Sequence, residues 1–179
     1  MTYSPNARRL VLTLHISASV GWLGAIACFL PLAIIGISQR DTTLVRAAYL
    51  AMDWIGWRVL VPLSFASLVT GLIQSWGTEW GLFRHYWVLM KFLMNVLANA
   101  VLVMFMLSLG RVIATGSASP GGNVADLRSP SPLVHAGVGL ILVLSATVLS
   151  VYKPRGVTPY GWRMQIERRR RAFRAADEP

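Results

Sequence analysis

A lysine, Lys91, sits inside an apolar run that extends from Tyr86 to Leu109 and closes at Arg111. About 20 apolar residues cross a bilayer at roughly 1.5 Å of rise each. A charge at the centre of such a span costs about 2.5–3.5 kcal/mol on insertion scales, and less toward either end. An ammonium placed there faces protein or a polar cavity rather than lipid, which makes it a candidate binding group. Three histidines accompany it: His15 inside a first apolar run, His85 between Arg84 and Tyr86, and His135 at the start of the last run. An imidazole in such surroundings is a metal ligand, a proton carrier or a hydrogen-bonded packing residue. Helical spacing groups further polar residues with these. Lys91, Asn95 and Asn99 recur at every fourth position, His15, Ser19 and Trp22 share one face of the first run, and Ser64, Ser67, Gly71 and Gln74 fall close to one face of the second. These stripes are expected to point inward. For the Ser and Gly positions the plainer reading is adhesion between helices, as in the small-xxx-small steps Ser17 to Gly21 and Gly21 to Ala25. Met90, Met94, Met104 and Met106 are soft metal donors at helical spacing, a pattern that ordinary packing also produces.

The elements that carry these residues follow from composition. With 55% hydrophobic residues, 13% charged and a mean hydropathy of +0.55, the chain falls in the membrane class, because its apolar residues lie in runs too long for globular core helices. The expected fold is all-α: a polytopic membrane protein built as a four-transmembrane-helix bundle over 1–152, followed by a basic tail over 153–179. The first span runs from about Leu10 to Ile37 and is too long for a simple signal peptide. The second, about Val59 to Ile73, is preceded by a mixed segment, Val45 to Arg58, which reads as an interfacial helix or as a continuation of the span. Tyr86 to Leu109 is the third, and about Leu133 to Val151, set between Pro132 and Pro154, is the fourth. Ala114 to Ser131, rich in Gly, Ser and Pro, reads as a flexible exposed loop. The single cysteine, Cys28, has no partner for a disulfide within the chain.

Charge sets the expected topology. Arg8 and Arg9 precede the first span, and Lys153, Arg155, Arg163, Arg168, Arg169, Arg170, Arg171 and Arg174 follow the last, so the positive-inside rule puts both termini in the cytoplasm. The tail then reads as a topology anchor or as a surface helix on anionic membrane lipids, with Trp162, Ile166 and Phe173 on its apolar side. Nucleic acid is not expected as a partner, since no recognition module accompanies the charge. With this topology His15 and Lys91 each lie about five residues into the same leaflet, or about 8 Å at the helical rise. His135 enters from the opposite side, roughly 15–20 Å away across a core of about 30 Å. One metal shared by His15 and His135 is not expected. Small-residue helix faces favour a homodimer.

The run His15-Ile16-Ser17-Ala18-Ser19-Val20-Gly21-Trp22-Leu23-Gly24, followed by Phe29-Leu30-Pro31-Leu32, resembles the first helix of small bacterial membrane proteins grouped around HemJ-type protoporphyrinogen oxidase and the copper-resistance D membrane domain. Trp87-Val88-Leu89-Met90-Lys91 is similar to the HemJ-type helix in which a lysine follows a tryptophan. The resemblance implies a bacterial inner-membrane protein that binds haem b, with His15 and Lys91 as the haem-binding pair and His15 as the metal ligand. Trp22 and Asn95 complete the expected cofactor-binding set. The activity implied is haem-dependent oxidoreduction of a porphyrin or quinone. Two non-enzymatic readings stand beside it: a copper-handling permease element with His15, Cys28 and Met94 as ligands, and a scaffold whose polar stripes only hold helices together.

Overall fold

A computed structural model describes residues 4–77, 81–118, 127–154 and 156–177 of the chain. Helix α1 (Pro5–Ser38) is followed by α2 (Thr42–Ile55), which passes through a π-helical turn (Gly56–Leu60) directly into α3 (Val61–Gly77). Then come α4 (Tyr86–Ala118), α5 (Ser131–Tyr152) and α6 (Pro159–Asp177). Among the described residues, four stretches are long and apolar enough to cross a membrane: Pro5–Ser38, Thr42–Trp76, Tyr86–Thr115 and Ser131–Tyr152. Large apolar side chains such as Ile16, Val69, Leu93, Met104 and Ile141 cover their outward faces. Helices apolar on both the inner and the outer side are embedded in lipid, and the fold is the expected all-α bundle of four spans.

Of the two readings of Val45 to Arg58, the structure takes the continuation of the span: the segment is the first part of one continuous helical stretch, Thr42–Trp76, of 35 residues. Val45, Tyr49 and Met52 recur at helical spacing and are fully buried, with Tyr49 lying against Gly36 of α1 so closely that a Cβ there would meet its Cε2 at 2.8 Å. Pro62 explains the π turn: it has no N–H to offer the Arg58 carbonyl, and its ring crowds that carbonyl, so the helix widens through Gly56–Leu60 before resuming as α3. Gly56 admits the Met106 side chain of α4 at this turn.

Helix α4 also runs further than expected, to Ala118, so residues 114–118 are helical rather than loop. Residues 119–126 of the expected flexible loop lie outside the described residues, whereas its end is docked. Leu127 is buried, the Ser129 amide donates to the Tyr49 hydroxyl at 3.3 Å, and Arg128 donates to the Gln39 carbonyl at 3.0 Å.

At the other end of the bundle the chain leaves α5 through Lys153, which adopts the left-handed conformation (φ 42°). Residues 156–158 then lie against residues 83–86: the Tyr86 amide donates to the Gly156 carbonyl at 3.3 Å, and the Thr158 amide to the Arg84 carbonyl at 2.9 Å. Thr158 completes the join, since its hydroxyl donates to the Phe83 carbonyl at 2.5 Å and accepts from the Gly161 amide at 3.1 Å, capping α6. The basic tail is therefore a helix with an anchored start.

Candidate functional site: two polar clusters and an apolar cavity

Helix α1 presents His15 to α3. Its Nδ1 lies 3.1 Å from the Ser67 carbonyl oxygen and 3.1 Å from the Thr70 hydroxyl. The carbonyl can only accept, and the Thr70 hydroxyl gives its proton to the Ala66 carbonyl at 2.6 Å, so Nδ1 carries the imidazole proton and shares it between the two oxygens. Nε2 is left as the lone-pair nitrogen and makes no hydrogen bond among the described residues. Gly71 makes room for the ring, a Cβ there falling 3.1 Å from His15 Cε1. One turn along α1, Ser19 joins the same carbonyl-bearing residue through a 2.9 Å hydroxyl contact with Ser67. Of the expected inward stripe of α3, Ser67 and Gly71 face α1, whereas Ser64 turns to α4.

Lys91 projects from α4 toward α5, where its ammonium donates to the Ser150 hydroxyl and stands 6.0 Å from the centroid of the Trp87 ring. The Ser150 hydroxyl passes its own proton to the Ala146 carbonyl at 2.9 Å. Among the described residues no carboxylate pairs with Lys91. His15 packs on Ser67, Thr70 and Gly71 toward the end of α3, and Lys91 stands early in α4, so the two residues share the end of the bundle where α3 gives way to α4, each with its own hydroxyl or carbonyl partner.

Asn95, one turn beyond Lys91, belongs to a different contact. Its Oδ1 accepts from Asn99 Nδ2 at 2.7 Å, and Asn99 Oδ1 accepts from the Ser64 hydroxyl at 2.9 Å. This chain ties α4 to α3 in the middle of the bundle.

Trp22, two turns along α1 from His15 and about 10 Å of rise away, lines an apolar cavity of about 240 Å³. The other walls include Phe29 of α1, Leu60 of the π turn, Ala98 and Phe105 of α4, and His135 and Gly139 of α5. His135 is the single ionisable group in this lining. Its ring stacks on Phe105 with centroids 4.6 Å apart and an interplanar angle of 22°, and its Nδ1 lies 2.8 Å from the Ser131 carbonyl oxygen. Phe105 is fourteen residues beyond Lys91 on α4, about 21 Å of rise, which agrees with the expected separation of His135 from the other pair. Sequence reasoning placed His135 by depth but did not find the cavity.

The donor set for copper does not converge. Cys28 is exposed and thirteen residues from His15 on the same helix, about 20 Å of rise. Among the described residues no group of three His, Cys, Asp or Glu side chains is arranged to hold a metal ion. A single His15 nitrogen with a fixed Nδ1–H does fit the ligand of a haem iron, since ligating histidines characteristically donate their other N–H to a carbonyl. Compared with protein-family models, curated proteins and solved structures, the chain matches none.

Proposed function

We propose that this chain is a redox protein of the bacterial inner membrane that binds haem b at the end of the bundle shared by His15 and Lys91. The observation that supports this best is the way His15 is held. Its Nδ1–H is fixed on Ser67 and Thr70, which sets the tautomer, aims the ring and keeps Nε2 as an electron-pair donor for iron. Lys91 suits a haem propionate rather than the iron itself: it donates to a hydroxyl, has no carboxylate partner among the described residues, and would form a charge-assisted bond with an anion. When bound, haem b supplies one-electron chemistry at an iron whose potential depends on its axial ligand and on the hydrogen bonds around it. The redox partner in this reading is a porphyrin or a quinone dissolved in the bilayer. Both termini then face the cytoplasm, where the Arg-rich α6 meets anionic headgroups.

A second reading, a scaffold without cofactor, is favoured by the Ser19–Ser67 and Ser64–Asn99 contacts, which are of the kind that hold membrane helices together. Absorption spectra of the detergent-purified protein, oxidised and dithionite-reduced, separate the two. A Soret band with a reducible alpha band, abolished in His15→Ala at equal folded yield, is expected. A colourless protein from haem-replete cells would leave the scaffold reading.

A further inference from the structure

We propose that the cavity between α1, α4 and α5 binds the ring of a lipophilic quinol, with His135 as the hydrogen-bond acceptor that recognises a quinol hydroxyl. The site is distinct from the His15 and Lys91 cluster and needs neither residue, so it stands whether or not the chain binds haem.

Size comes first. An apolar cavity of about 150 Å³ accommodates benzene, so one of about 240 Å³ takes a substituted six-membered ring and the beginning of a tail, and is too small for a tetrapyrrole. The mouth fits a lipid-soluble ligand. Leu97 and Val101 on α4, and Val134 and Val138 on α5, line the cavity and are also exposed on the outer surface of the bundle, so the opening faces the acyl chains and a tail can remain in the bilayer.

Polarity then narrows the class. His135 Nδ1 sits 2.8 Å from the Ser131 carbonyl oxygen, an acceptor only, so Nδ1 is the protonated nitrogen. That bond holds Nδ1 against its own helix and leaves Nε2 as the acceptor nitrogen of a ring that lines the cavity. Nε2 makes no hydrogen bond among the described residues. No sealed side-chain nitrogen or oxygen among them lacks a partner, so Nε2 is open rather than buried. A lone acceptor in an otherwise apolar lining selects a ligand that brings a hydrogen-bond donor on a largely apolar body. The stacked Phe105 and His135 rings, with Trp22 in the same lining, offer aromatic faces to a planar ring. A quinol supplies the donor, and its oxidised quinone does not.

The test uses the full chain in nanodiscs of neutral lipid, titrated with decylubiquinol kept reduced and, separately, with its dimethyl ether, which has the same ring and tail but no hydroxyl. Binding is read as quenching of tryptophan fluorescence, and the Trp22→Phe variant identifies the portion that belongs to the cavity. The expected result is saturable quenching of Trp22, with the quinol bound between about threefold and tenfold more tightly than the ether, as one neutral hydrogen bond allows. His135→Phe, which keeps an aromatic ring stacked on Phe105, is expected to bring both ligands to the weaker level. Gly139→Leu offers an independent check. A Cβ there meets only Ile26 Cδ1, at 3.8 Å, so the added side chain fills the cavity and should abolish saturable quenching by both ligands. Equal affinity for quinol and ether in the natural chain, a preference that survives His135→Phe, or quenching that rises linearly without saturation would each overturn the assignment, the last by showing partition into lipid alone.

Discussion

The hydroxyl of Ser64 on α3 donates to the side-chain carbonyl of Asn99 on α4 at 2.9 Å, and both side chains are buried, Ser64 completely. Asn99 donates in turn to Asn95, at 2.7 Å to Oδ1 and 2.9 Å to the backbone carbonyl. Three polar residues in an apolar bundle thus satisfy one another, where an unpaired one would face hydrocarbon.

Removing this contact should cost less than its burial suggests, because polar groups in a membrane-unfolded chain also find partners. A double-mutant cycle of Ser64→Ala and Asn99→Ala is expected to return a coupling of about 0.6 kcal/mol and no more than about 1.7 kcal/mol. Reversible unfolding in mixed micelles measures it. A coupling near zero would mean that the two helices are held by packing alone.

Lys91 should oppose stability in the cofactor-free protein. Its ammonium has one hydroxyl and an aromatic ring at 6.0 Å as partners and no carboxylate among the described residues. Lys91→Met is therefore expected to raise the unfolding free energy, by up to about 2.5 kcal/mol given the insertion cost of a lysine, while lowering haem retained per chain. Thermal melts of the cofactor-free fraction and a pyridine haemochrome assay check the two halves. A destabilised Lys91→Met would show that the bond to Ser150 matters more than the buried charge.

The Thr158 hydroxyl serves two elements, so its loss should be felt in both. Thr158→Val removes the cap of α6 and the bond to the Phe83 carbonyl, and capping alone is worth about 1 kcal/mol. Faster hydrogen exchange is expected at the amides of Gly161 and Trp162 and at Tyr86, which pairs with Gly156. Exchange confined to α6 would show that the join to residues 83–86 holds without the hydroxyl.

Orientation can be read from chemistry at α6. In a Cys28→Ser background, Arg171→Cys places a thiol on the exposed polar side of the helix. It should resist a membrane-impermeant maleimide in intact cells and react once the membrane is opened. Labelling in intact cells would reverse the topology.

Much of this molecule could be read from residue order because hydropathy and helical period report on local surroundings. The spans holding His15, Lys91 and His135 were legible as apolar runs, and counting residues into the first and third of them put His15 and Lys91 toward one end of the bundle. The α3 stripe was expected to point inward, and Ser67 and Gly71 do so, against α1. What could not be read depends on how helices meet. Asp53, Trp54 and Trp57 made Val45 to Arg58 look interfacial, whereas Val45, Tyr49 and Met52 are fully buried once α1 and α4 close over them. Ser150 as the partner of Lys91 requires the register of α5 on α4, which no local pattern encodes. The cavity was invisible for a similar reason: it is space left where Ala98, Ala136 and Gly139 meet the larger Trp22 and Phe105, and an absence of side chain in one helix has meaning only beside its neighbours.

The join between residues 156–158 and 83–86 bears on how α4 and α5 can move. Together with the Lys91–Ser150 contact, it fastens the two helices at the end where the Lys153 turn lies. His135 and Phe105, by contrast, meet near the far end, four residues into α5, and the docked residues 127–129 lead into that end from α1 and α2. The pair is therefore built like tweezers: a closed pivot at one tip, and jaws at the other that hold the cavity between them. A molecule held beside His135 therefore lies at the tip away from the join and from Lys91, and the charged end of the bundle takes no part in holding it.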